Sequence, residues 1–170
     1  MNSLGTSKGN TKMLIRKAEA NWKGNLIKGS GRLTVGSRAI DVPYSFKSRL
    51  EDGQSATNPE ELLGAAHAGC FTMALAAQLS GAGFTPAELD TIAKVSFEKI
   101  GENFQITRIE LETSADAPGV DDTIFQKLAA DAKKNCPVSK ALAATEIKLK
   151  ATLRSAERSG TPMEVAIGKD

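Results

Sequence analysis

The chain has 170 residues, enough for one domain with a proper core but barely enough to surround a long helix on every side. Its 22 basic and 20 acidic residues leave a net charge of +2, and no basic block interleaved with aromatics marks a nucleic-acid surface, so phosphate partners are not expected. The amino terminus is polar and lacks the apolar core of a secretion signal, which makes the cytoplasm the default home and reduced thiols the starting state of the two cysteines.

Residues Met1 to Lys12, rich in Gly, Ser, Thr, Asn and Lys without periodicity, read as a flexible leader with no assigned function. From Met13 to Lys23 apolar residues recur in a mostly alternating pattern with one slip, which predicts a first strand, and Gly24-Asn25 turns the chain. Leu26 to Val35 reads as a second, glycine-weakened strand. Ile40, Val42, Tyr44 and Phe46 alternate with Asp41, Pro43, Ser45 and Lys47 as a third, completing a meander. Arg49 follows on the polar parity of that third strand, with Lys47, so the pattern leaves it solvated.

The central stretch runs from Asn58 to Gly83. Asn58 suits a helix N-cap, Pro59 the first helical position, and Glu60 and Glu61 the positive end of the helix dipole, Glu61 at the third position of a capping box. From Leu62 to Leu79 no residue carries a formal charge, and Gly81 and Gly83 supply the stop. A helix apolar all round is expected to be buried all round, with Gly64, Ala65, Ala66, Ala68 and Gly69 allowing close approach of another backbone. One chain of this length gives too little cover, which predicts a two-fold dimer packed at Gly64, Ala65, Ala68 and Gly69. The run comes near the roughly 20 apolar residues that cross a bilayer. Its Gly, Ala, His67, Thr72 and Gln78 make it only weakly hydrophobic, so a core helix is expected and no membrane partner.

Beyond it, Leu89 to Lys99 alternates cleanly, Gly101-Glu102-Asn103 turns the chain, and the partner strand runs from Phe104 to Thr113. Its inward parity switches between Ile106 and Ile109, which predicts a bulge near Thr107-Arg108. Pro118-Gly119 breaks the chain, and Asp121 to Lys134 reads as an amphipathic helix with Ile124, Phe125, Leu128 and Ala132 inward. Cys136-Pro137 ends it, a short turn spans Val138 to Leu142, and Ile147, Leu149, Ala151 and Leu153 mark a last strand. Ser155 onward reads as a loose tail, leaving residues 13–154 as a single domain. The order βββ-α-ββ-α-β predicts an α+β fold with antiparallel sheets around the central helix.

Cys70 lies in the middle of that helix and Cys136 far away in sequence, so there is neither a C-x-x-C redox motif nor a zinc knuckle, and no metal is expected. Both cysteines suit inert core positions. Burial should raise the pKa of Cys70 unless a cation lies close, so a reactive Cys70 requires an arginine folded over it. His67, the only histidine, lies one turn before Cys70, which admits a Cys-His hydrolase. Acyl transfer also needs an oxyanion hole, and mid-helix amides are already spent on carbonyls, so a hydrogen-bonded packing role suits His67 better. Glu60 and Cys70 are separated by about 280° of helical rotation and cannot share a face of an uninterrupted helix, though Glu60 can still hold an arginine that reaches Cys70.

The segments TNPEELLGAAHAGCFTMAL and NCPVSKAL closely resemble the OsmC/Ohr family of osmotically induced and organic-hydroperoxide-resistance proteins, more the OsmC branch than the Ohr branch. The resemblance covers roughly Met13 to Leu153 and implies an intertwined α+β dimer. It implies that Cys70 is the peroxide-attacking cysteine, Cys136 the resolving cysteine, and Glu60 the carboxylate that orients the active-site arginine. Arg49 is the best match for that arginine, with Lys47 and Arg32 as alternatives. The implied chemistry forms a sulfenic acid on Cys70 and a Cys70–Cys136 disulfide, reset by an external dithiol such as lipoyl, with no metal, haem or flavin cofactor. Ala66, Phe71, Met73 and Ala74 around Cys70 are expected to wall an apolar approach that favours organic hydroperoxides over hydrogen peroxide. Three readings stand: a thiol peroxidase, a Cys-His hydrolase, and a non-catalytic domain binding a small ligand or a partner.

Overall fold

The computed structural model describes residues 12–51 and 53–154, which fall into two compact units divided between Pro59 and Glu60. The expected leader, apart from Lys12, and the expected tail lie outside the described residues.

The first unit is an antiparallel meander of β1 (Ala18–Lys23), β2 (Ser30–Val35) and β3 (Asp41–Ser45). The glycine in its middle strand has a packing reason. Gly31 pairs with Trp22 on one side and Tyr44 on the other, and those two rings meet at a centroid distance of 5.3 Å. A Cβ at Gly31 would run into the Asn21 carbonyl and the Tyr44 ring, so only glycine lets the aromatic pair close over the strand. The third strand stops at Ser45, short of the predicted Lys47, and a one-turn helix α1 (Lys47–Leu50) follows. The Ser45 hydroxyl accepts from the Ser48 N–H at 3.0 Å, a local bond that diverts the backbone from the sheet. Arg49 therefore lies on a helical turn and not on strand parity. Ser48 Oγ lies 2.7 Å from the Thr57 carbonyl, and the Asn58 amide donates to the Ser48 carbonyl at 3.0 Å, tying the following loop to α1.

The second unit contains the long helix α2 (Pro59–Gly81) from Glu60 onward, strands β4 (Glu88–Ile100), β5 (Asn103–Asp116) and β6 (Glu146–Leu153), and helices α3 (Asp122–Asn135) and α4 (Pro137–Ala141). Pro59 opens α2 and Glu60 and Glu61 occupy its first turn, as the sequence predicts. The helix ends in a Schellman motif: Gly83 has φ +86°, its N–H reaches the Ser80 carbonyl, and the Phe84 N–H reaches the Leu79 carbonyl, each at 3.0 Å. The register between β4 and β5 shifts at Ser96/Phe97, with Thr107 as the extra residue, which is the predicted bulge. Asp121 caps α3 by accepting from the Ile124 N–H at 2.9 Å. The buried stripe of α3 is Phe125, Ala129 and Ala132, while Ile124, predicted inward, is 39% exposed.

Two expectations need correction. The second sheet is mixed: β4 and β5 are antiparallel, but β5 and β6 are parallel, because α3 and α4 carry the chain back to the starting end before β6 begins. The α+β class and element order hold. Nor is α2 buried all round. Glu60, Gly64, His67, Phe71, Leu75 and Leu79 face inward, whereas Ala65, Gly69, Met73 and Ala77 are exposed, Met73 at 71%. The small residues divide accordingly. A Cβ at Gly64 would lie 3.3 Å from the Ala93 carbonyl of β4, a close backbone approach, while nothing lies within 4 Å of a Cβ at Gly69. Among the described residues α2 is the one helix long and apolar enough to cross a membrane. Its inner stripe joins Leu111, Ala115, Phe125, Ala129, Ala132 and Cys136 in one core, where each buried Leu or Phe contributes about 1.5–3 kcal/mol.

Candidate active site

Cys70 is presented by the middle of α2, where hydrogen bonds on both sides hold the backbone rigid. Cys136 is presented differently. The residue before a proline is pushed out of helical conformation, so α3 ends at Asn135, Cys136 takes φ −57°, ψ 121°, and Pro137 starts α4. The Cys136 N–H still donates to the Ala132 carbonyl at 2.8 Å and its carbonyl accepts from the Lys140 N–H at 3.0 Å, so both flanking helices grip this non-helical residue. Cys136 is fully buried, Cys70 partly so, and both are free thiols with their sulfurs 3.1 Å apart. That spacing is a hydrogen bond between thiols. A shift of about 1 Å would bring the sulfurs to the roughly 2.05 Å of a disulfide.

The electrostatics of the two sulfurs diverge. Burial pushes the Cys70 thiol up, its hydrogen bond with Cys136 pushes it further, and the Val138 N–H pulls the other way without prevailing. Burial also works against the Cys136 thiolate, but the Ser139 N–H, the Cys70 thiol, the Ser139 hydroxyl and the Val138 N–H together outweigh it and bring the Cys136 pKa down. No side-chain cap bond of ordinary geometry joins Cys136 to α4, so the two N–H groups act on its sulfur as nearby dipoles. The two thiols titrate as a pair, each sulfur acting on the other. The upward push on Cys70 by burial agrees with the sequence expectation, and the acidity of Cys136 is new.

His67 is fully buried, with Nε2 2.8 Å from the Ser139 hydroxyl oxygen and Nδ1 without a hydrogen-bond partner among the described residues. Burial lowers its pKa, so the imidazole is neutral near pH 7. This is the packed, hydrogen-bonded histidine the sequence favours. The thiol hydrogen bond of Cys70 goes to Cys136 rather than to His67. Ser139 itself escaped the sequence reading. Its only signal is a hydroxyl three residues after Cys136 in the opening turn of a helix that starts at proline.

The structure brings Cys70 and Cys136 together within the second unit. Glu60, in the first turn of α2, is 8% exposed, an unusual degree of burial for a carboxylate. Arg49 belongs to the first unit, where it lines a cavity of about 260 Å³ with Trp22, Leu26, Tyr44, Phe46 and Pro59. The alternatives to Arg49 have surface duties: Arg32 grips Asp41 through Nε and Nη2 at 2.9 Å each, and Lys47 lies 3.5 Å from Glu51. Phe71 cannot wall an approach to Cys70, because successive helical residues point about 100° apart and Phe71 is fully buried in the core. Ala66 and Met73 are exposed and Ala74 half-buried. Among the described residues no three His, Cys, Asp or Glu side chains are placed to hold a metal ion.

The family model described as OsmC-like protein matches residues 51–152. The chain is 45% identical to Peroxiredoxin OsmC of Escherichia coli (strain K12) over 141 residues, covering 82% of this chain and 97% of that protein. It is 32% identical over 113 residues to an organic hydroperoxide resistance protein of Xanthomonas axonopodis pv. citri (strain 306), covering 65% and 78%. In structure it resembles an organic hydroperoxide resistance protein from Elizabethkingia anophelis with a TM-score of 0.68 over 84% of this chain and all of that one, at 24% identity, a likeness of fold. The matched region contains the whole of α2 and both cysteines, and with 45% identity to a relative over 97% of that relative's length, the chain belongs to the OsmC family.

Proposed function

We propose that this protein is a cysteine-based peroxidase that reduces organic hydroperoxides to alcohols in defence against oxidative or osmotic stress. The observation that carries the reading is the pair of free thiols 3.1 Å apart, one on a rigid helix and one at a pre-proline junction. The names of the relatives, a peroxiredoxin and an organic hydroperoxide resistance protein, support the same chemistry. The Cys70 thiolate attacks the peroxide, the O–O bond breaks, the alcohol leaves, and Cys70 holds a sulfenic acid. Cys136 condenses with it to a disulfide before further oxidation, and an external dithiol, of lipoyl type, resets the pair.

Arg49 supplies the cation that the Cys70 thiolate and the departing oxygen need, and Glu60 orients it. One feature supports this choice: Arg49 lines an apolar cavity suited to an alkyl tail. Organic hydroperoxides are preferred to hydrogen peroxide, since each buried CH₂ adds roughly 0.8 kcal/mol. The protein works as a cytoplasmic homodimer of one functional domain, residues 13–154. Support for the dimer comes from the exposed apolar stripe of Ala65, Gly69, Met73 and Ala77 on α2. A Cys-His hydrolase is disfavoured because the buried His67 is engaged with Ser139 and the thiol of Cys70 with Cys136. The same engaged thiol pair, with the names of the relatives, argues against a non-catalytic ligand-binding domain.

The test is a mass spectrum after one equivalent of cumene hydroperoxide. The native chain should become lighter by two hydrogens through a dithiol-reversible Cys70–Cys136 disulfide, faster than with hydrogen peroxide, and Cys70→Ser should not react. Full peroxidase activity in Cys70→Ser, or sulfenic acid found first on Cys136, would reverse or remove the assignment.

A further inference from the structure

Two pairs of residues join α2 to the start of α4, with matched spacing. His67 and Cys70 stand three apart on α2, Cys136 and Ser139 three apart at the α4 junction. The contacts between them form two parallel rungs, sulfur to sulfur at 3.1 Å and imidazole to hydroxyl at 2.8 Å. The polar rung is deeply buried, His67 at 0% and Ser139 at 6% exposure. Burying two polar side chains against each other gains little over an apolar pair of the same shape, so the rung is poorly explained as stabilisation. It does fix geometry. The α4 helix has only five residues, too few to hold its own orientation, and the Ser139 hydroxyl gives it a directional anchor to α2.

Resting on the reading of Cys70 as the oxidised cysteine and Cys136 as the resolving one, we propose that His67 and Ser139 are positioning residues for resolution, a hydrogen-bonded rung that keeps the Cys136 sulfur aimed at Cys70. In that step the Cys136 thiol gives up its proton and its sulfur attacks the Cys70 sulfenic sulfur. The S–S bond forms, the S–O bond breaks, and the departing hydroxide takes a proton to leave as water. The two electrons that reduced the peroxide have then come from the two thiols. With Nε2–H donated to the Ser139 oxygen, Nδ1 is left as a bare lone pair, which strands no buried N–H and agrees with the absence of a partner for Nδ1 among the described residues. Attack on sulfur demands alignment, and a misplacement of about 1 Å can cost on the order of 100-fold.

The experiment follows both steps in single turnover: loss of the first thiol on mixing with cumene hydroperoxide, then loss of the second as the disulfide closes. In Ser139→Ala the first step should stay within about 2-fold of native while the second slows about 10- to 100-fold. Sulfinic acid should then build up on Cys70 at a peroxide excess that leaves the native chain as disulfide. His67→Leu should do the same, and the double variant should be no slower than either single one. Ser139→Thr keeps the hydroxyl and Ser139→Val has nearly the same shape without it. Thr should resolve near the native rate and Val should not, which decides the matter even if the alanine variant folds poorly. A disulfide formed at native speed in Ser139→Ala or Ser139→Val, or both steps slowed equally, overturns the proposal. If the native chain itself forms no Cys70–Cys136 disulfide, the underlying peroxidase reading fails as well, and the two failures are thereby told apart.

Discussion

Cys136 is fully buried and meets Cys70 inside a set of short hydrogen bonds between two packed helical elements, whereas Arg49 stands exposed on a four-residue helix and lines an apolar cavity. The sulfur region is rigid and desolvated, and desolvation raises the Cys70 pKa. That works against the thiolate the chemistry needs. The arginine region has the opposite character, a permanent cation beside aromatic surface on a short turn. Alignment of two sulfurs calls for long, well-packed elements, while holding a thiolate and an alkyl tail calls for charge and an apolar wall.

The largest effect is expected from Arg49→Ala, which tests the role proposed for Arg49. Loss of the cation should slow peroxide reduction by about 100-fold and move the pH profile of Cys70 alkylation upward, with the circular dichroism unchanged. Lysine at this position should restore only part of the rate, since it lacks the planar fork a carboxylate can hold. An alkylation profile identical to native would take Arg49 out of the site and turn attention to Arg32 and Lys47.

A smaller effect is expected from the outer face of α2. Within one chain a Cβ at Gly69 meets nothing within 4 Å beyond its own helix among the described residues. Against a second copy a Leu there should overpack. Gly69→Leu or Ala65→Leu should therefore weaken the dimer by about 1–3 kcal/mol in sedimentation while leaving the fold of the chain unaffected. A native monomer that is stable and peroxide-active at micromolar concentration would dismiss the dimer.

The smallest effect tests the desolvation of the sulfur region itself. Burial holds the His67 pKa below its ordinary 6.5, so between the two values the unfolded chain binds a proton that the folded chain does not. Stability should fall as the pH drops through 6.5 and level off once the folded histidine protonates as well. His67→Gln, which cannot titrate, should flatten that part of the acid limb in urea midpoints measured on either side of the window. Equal slopes for the two proteins would mean that His67 is less desolvated than its burial indicates.

Much of this architecture was legible because local physics repeats along the chain. Period-two alternation marks β4 and β6, a parity switch marks the bulge at Thr107, and Pro59 and the glycines after Leu79 mark the ends of α2. Both cysteines stood out through their settings, one in an uncharged helix and one before proline. The short helix α1 was not legible, since it depends on a bond from the Ser48 N–H to the Ser45 hydroxyl that no periodicity announces. The parallel pairing of β6 was missed because alternation fixes which face a strand buries and says nothing of its direction.

By itself, then, the sequence determined the element order, the inward parity of β4 and β6 and the identity of the two thiols, all of which follow from side-chain type and spacing. Tertiary structure alone decided what depends on residues remote in the chain. It brought the sulfurs of Cys70 and Cys136 to 3.1 Å and Ser139 to His67, and it left one face of α2 open where uniform apolarity implied cover on every side. Those outcomes rest on packing between elements, and an apolar residue reads the same in sequence whether its own chain or a partner buries it.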